Sequence, residues 1–192
     1  MDEFFHVRML IGIILGLSIA QLLKGVAKFI QHPGRDKVYV LHLTWVFYTF
    51  LVIIHFWWWE FNLRSIHAWT FPMYFFILIY ATTYYLSASL LFPDDLKDYS
   101  GFKDYFQSRK KWFFGVVALT YLLDVCDSLL KGSTMLEHLG IIYYISIALH
   151  ISICGLAIKI ENEKFQYAIV AIFILYQLVF IYNDYLFLNV NR

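Results

Sequence analysis

Val38–Phe61 reads VYVLHLTWVFYTFLVIIHFWWWEF, an apolar run with no charged residue before Glu60 and one histidine toward each end. A helix needs about 20 apolar residues, at about 1.5 Å of rise each, to cross the hydrocarbon of a bilayer. This run is long enough. A polar side chain inside such a span has to face protein or trapped water, which makes His42 and His55 the first candidates for chemistry.

The rest of the chain agrees with that reading. Of its 192 residues, 61% are hydrophobic, 21% aromatic and only 15% charged. In water that balance would leave large apolar patches exposed, so the expected solvent is lipid. A formal net charge of +1 gives no basis for nucleic-acid binding or for a polybasic lipid anchor. Five more apolar runs follow the same logic: Arg8–Ile30, Ala68–Phe92, Trp112–Leu130, Met135–Ile158 and Phe165–Leu188. The predicted class is therefore an all-α integral membrane protein with six transmembrane helices, residues 1–192 forming a single polytopic domain. The run after Arg8 is too long for a signal-peptide core and lacks a small-residue cleavage site, so it reads as a permanent span. Cys126 and Cys154 lie in apolar runs without a CxxC spacing and read as small buried residues.

Gly12, Gly16 and Ala20 recur every four positions in the first span, a small-residue stripe where another helix can approach. The partner helix can belong to the same chain, to a second copy in a homo-oligomer, or to another membrane protein. Pro93–Lys111, PDDLKDYSGFKDYFQSRKK, is the one long polar interval and reads as a connector. The lysines and arginines divide unevenly. Arg8, Arg64, Lys131 and Arg192 fall on one side, and Lys24, Lys28, Arg35, Lys37, Lys97, Lys103, Arg109, Lys110, Lys111, Lys159 and Lys164 on the other. Since basic residues stay cytoplasmic, both termini are expected on the non-cytoplasmic side.

The two halves echo each other. His42-Leu43 and His55 in span two correspond to His138-Leu139 and His150 in span five, FILIY at 76–80 to FILY at 173–176, and LLKG closes both span one and span four. Three spans per half would place residues 1–92 and 112–192 in opposite orientations, joined by 93–111, as two inverted three-helix repeats.

The polar inventory suggests a channel or transporter for a proton, an ion or a small solute. Asp124, His55 and His150 lie deep, with Asp127 and Glu60 nearer the outer mouth. Ionisable groups at such depth cost about 2.5–3.5 kcal/mol on insertion scales, so they serve a path or pair with one another. The hydroxyl-rich third span, from Tyr80 to Ser89, should face protein or a wet cavity. A purely structural role for the acids, paired with Lys24 or Arg8 or bonded to neighbours on span four, is the plain alternative.

A second expectation is a redox protein holding two b-type haems between spans two and five. His55 would meet His138 and His42 would meet His150. Separations of 13 and 12 residues give roughly 18–20 Å of rise, and this spacing resembles that of transmembrane diheme cytochromes b. The resemblance covers the four histidines and no surrounding motif. On an ideal helix the two histidines of each span also diverge by about 120–140°. A third expectation is a structural or signalling membrane subunit with no cofactor of its own. No HExxH, GxSxG or close Cys/His cluster is present, so a zinc enzyme, a serine hydrolase and a structural metal site are not expected. A carboxylate pair formed by Asp124 and Asp127 is the one weak signal for an enzyme.

Overall fold

The computed structural model describes the backbone of residues 3–190 apart from 33, 36 and 67, and their side chains apart from those of 3, 65, 133, 134, 138 and 184–190. Six α-helices account for nearly all of it: α1 (Glu3–Gln31), α2 (Val40–Trp59), α3 (Phe71–Leu91), α4 (Phe102–Leu130), α5 (Ser133–Lys159) and α6 (Glu163–Val190). All six are long and apolar enough to cross a bilayer. Their outward faces carry exposed Ile13, Leu17, Ile141, Ile142, Leu175 and Val179. Their inward faces are also largely apolar, so the helices are hydrophobic all round, as helices surrounded by lipid are.

Local sequence sets the boundaries. Glu60–Ser65 tightens into a 3-10 turn after α2, and Pro72 sits in the first turn of α3, where its missing N–H has no helical partner to lose. α4 begins about ten residues earlier than its hydropathy suggests. Phe102, Tyr105, Phe106, Phe113, Phe114 and Val117 are all buried and continue one stripe at helical spacing. The charged residues between them occupy the other face, so the connector contracts to 93–101. α5 is broken at Gly140, whose φ of 63° and ψ of −173° lie in a region that residues with a Cβ rarely adopt. Its apolar span begins at Leu139, later than the expected Met135.

α1, α3, α4, α5 and α6 pack in that order around an arc, and α2 closes it. α2 also reaches inward to α3 and α4, which makes it the central helix. The sequence led us to expect α2 to cross α5. Among the described residues the two backbones never approach closely, and the gap between them is the cavity described below. The halves are not packed alike: α1 lies along α3, whereas α4 runs along α5 and, among the described residues, does not approach α6.

The small-residue stripe of α1 divides. A Cβ on Gly12 would sit 3.0 Å from the Trp57 ring, but Gly16 has nothing near it, and Ala20 is exposed. The close approach is made instead by Gly25, where a Cβ would fall 2.2 Å from the Phe92 ring. That ring is wedged among Phe29, His42 and Phe102 and cannot simply swing away. Gly25→Ala should therefore destabilise the protein by about 1–3 kcal/mol, the usual cost of overpacking, read as a lowered thermal midpoint in detergent. An unchanged midpoint would show that α1 and α3 can separate freely.

Candidate functional site

Residues at helical spacing on five helices turn toward the space between α2 and α5. α2 supplies Tyr48, Thr49, Val52, His55, Phe56 and Trp59, a single face at three- and four-residue steps. α3 adds Tyr80, Tyr84 and Ser87; α4 adds Val117, Thr120, Tyr121 and Asp124; α5 adds Tyr143 and Ile147; α6 adds Tyr176, Gln177 and Phe180. They line a cavity of about 80 Å³, room for several waters at about 10–15 Å³ each in this measure. From Tyr48 to Trp59 it extends about 16 Å along α2.

Asp124 is the acid of this cavity. Tyr80 donates to its Oδ1 at 3.1 Å and Tyr143 to its Oδ2 at 2.6 Å. Tyr84 donates to the Tyr80 hydroxyl at 3.2 Å, and Ser128 lies 3.2 Å from that of Tyr143. A second pair, Tyr48 and Tyr121, joins α2 to α4 across 3.0 Å. Among the described residues Asp124 has no ion-pair partner. The Thr49 hydroxyl is buried in the wall without a hydrogen-bond partner, so polar capacity is left facing the cavity.

Asp127, three residues further on, has a different role. Its carboxylate bonds Lys131, whose Nζ also lies 2.8 Å from Glu60 Oε1. All three side chains are buried. Burial disfavours the ammonium, but Asp127 and Glu60 outweigh that and hold the Lys131 pKa above the 10.5 of a free lysine. The ammonium also sits 5.4 Å from the centre of the Trp59 ring. The sequence reading counts Lys131 only among the basic residues of one side; the signal that could have found its role is its i, i+4 spacing from Asp127.

The triad borders the Trp59 end of the cavity. At the opposite end, one turn before Tyr48, the bundle is solid. Trp45 is fully buried, with the rings of Phe113, Phe114 and Phe173 packed edge-on at 5.3, 5.1 and 5.4 Å. Of the proposed path residues, then, Asp124 and His55 line the cavity, and Asp127 and Glu60 belong to the triad at its edge. His150 lies one layer behind the wall, stacked on Tyr121 at 4.8 Å and 4.4 Å from the Tyr176 ring.

His42 and His150, the expected inner haem pair, each have their own neighbours. His42 Nε2 donates to the Leu91 carbonyl at 2.6 Å and stacks on Phe102. Gln21 donates to the Phe92 carbonyl and Tyr105 to that of Leu90. Three side chains from three helices thus satisfy three consecutive carbonyls at the end of α3, which otherwise lack partners. His150 Nδ1 donates to the Ser146 carbonyl at 2.6 Å and shares no ring neighbour with His42. The side chain of His138 lies outside the described residues. Among the described residues no three His, Cys, Asp or Glu side chains are grouped to hold a metal ion. His42→Phe should cost about 1–3 kcal/mol by stranding the Leu91 carbonyl, measured as a lowered unfolding midpoint. An unaffected midpoint would remove the capping role.

No family model matches the chain, and neither the curated proteins nor the solved structures contain a significant match.

Proposed function

We propose that this is an integral membrane carrier that takes up a small solute in the cavity between α2 and α5 and passes it across the bilayer, with both termini on the non-cytoplasmic side. The observation that carries the reading is a cavity among six apolar helices that holds an acid with no ionic partner among the described residues and ends against aromatic packing around Trp45. Buried polarity of this kind is costly to keep and serves a ligand or an ion path. A site blocked at one end fits a carrier better than an open channel, because a carrier exposes its site to one side at a time. Asp124 holds the solute, while Tyr48, Tyr121 and His55 line its course. The Trp45 layer and the Glu60–Lys131–Asp127 cluster act as the two closures.

The test is uptake into proteoliposomes from a panel of labelled amines, amino acids, sugars and carboxylates, with a pH-sensitive dye reporting protons. Saturable uptake of at least one member above protein-free liposomes is expected. Equality with protein-free liposomes across the panel overturns the proposal.

A further inference from the structure

We infer that the solute is a small organic cation, an amine or quaternary ammonium, held between the Asp124 carboxylate and the aromatic walls of the cavity. The inference rests on the carrier reading above and names its substrate class. Among the described residues Asp124 is the one acid lining the cavity, and no described lysine or arginine lines it. The contrast with Asp127 is informative. On the same helix, three residues apart, one acid is neutralised from within the chain and the other is left for something else.

The walls specify what that is. Phe56, Trp59, Tyr121 and Tyr176 line the same space, and aromatic rings attract a cation that has shed its water. The protein carries out the same recognition on itself. The Lys131 ammonium is bound by carboxylates while resting 5.4 Å from the centre of Trp59, a ring that also lines the cavity. A ligand ammonium beside Asp124 would repeat that arrangement one helical turn away. Thr49, 1% exposed and lining the cavity with an unpartnered hydroxyl, offers a further hydrogen bond to a hydroxyl or N–H on the ligand. A bare metal cation fits less well, because it needs a close shell of oxygen ligands and much of this wall is carbon. The 80 Å³ volume matches the space of about 5–8 waters, which sets the size at a small amine.

The experiment is calorimetric titration of the full chain in nanodiscs with two matched pairs: choline against its neutral isostere 3,3-dimethylbutan-1-ol, and benzylamine against benzyl alcohol. At least one cation should bind about ten-fold or more tightly than its isostere. Asp124→Asn should erase that preference while lowering the unliganded unfolding midpoint only slightly. Gln177→Lys, which tethers an ammonium inside the cavity and leaves Asp124 in place, should erase it too and covers the case in which Asp124→Asn folds poorly. Equal binding within both pairs, a preference that survives both substitutions, or no binding of either amine overturns the inference. The two readings fail separately. Cation binding without uptake leaves the substrate class standing and removes the carrier; saturable uptake of only neutral or anionic solutes does the reverse.

Discussion

Lys131→Met should destabilise the protein by about 3–5 kcal/mol, enough to prevent recovery of folded material from membranes. The substitution keeps the length of the side chain and removes its charge. Glu60 and Asp127 would then be two buried carboxylates with no cation between them, and breaking a buried ionic group at one member costs about that much. Each already has one oxygen without a hydrogen-bond partner, Glu60 Oε2 and Asp127 Oδ1, so neither has spare support to draw on. Removing all three charges together, as Glu60→Gln, Asp127→Asn and Lys131→Met, should restore most of the loss. A single Lys131→Met protein with a wild-type unfolding midpoint would contradict the cluster. The dependence on pH has a definite sign. The folded-state pKa of Lys131 is raised above that of a free lysine, so deprotonating this ammonium as pH rises through the raised value removes its contribution.

Asp124→Asn should have the opposite profile: transport reduced by about a hundred-fold or more, with stability nearly intact. Asparagine has the shape of aspartate, and its amide can still accept from one tyrosine and donate to the other. The bonds from Tyr80 and Tyr143 are thus largely replaced, and the expected stability cost is about 1 kcal/mol. What disappears is the charge. Losing one member of a desolvated charge pair costs about 2–5 kcal/mol of binding. Initial uptake rates in proteoliposomes, set against the unfolding midpoint of the same preparations, check this. Uptake that survives the substitution would take Asp124 out of the site.

Much of this was legible from the order of the residues. Apolar run lengths give six spanning helices, and the hydroxyls of the third span do turn inward at Tyr80, Tyr84 and Ser87. Asp124 stands out because it is an acid deep in an apolar run. The start of α4 was hidden because hydropathy averages Lys103 and Arg109–Lys111 together with Phe102, Tyr105 and Phe106, whereas a helix separates them by face. Trp57, Trp58 and Trp59 look alike as a belt at the membrane edge, yet only the first two are exposed; Trp59 turns inward. Which acid is paired and which is free depends on the angle at which Glu60 arrives from the turn after α2, and no local pattern encodes that angle. The histidine echo between spans two and five points to a shared site only if those helices face each other through their histidines. His42 looks instead toward the end of α3, and His150 toward Tyr121 and Tyr176.

The most direct test of a carrier built on this cavity is counterflow. Proteoliposomes are loaded with an unlabelled solute that the protein takes up, then diluted into a trace of the same solute carrying a label. A carrier whose loaded site reorients faster than its empty one accumulates label transiently above the equilibrium level, and Asp124→Asn abolishes the overshoot. Label that enters without overshoot and does not saturate would mean an open pore. Label that enters no faster than in protein-free liposomes would mean that the cavity serves no transport.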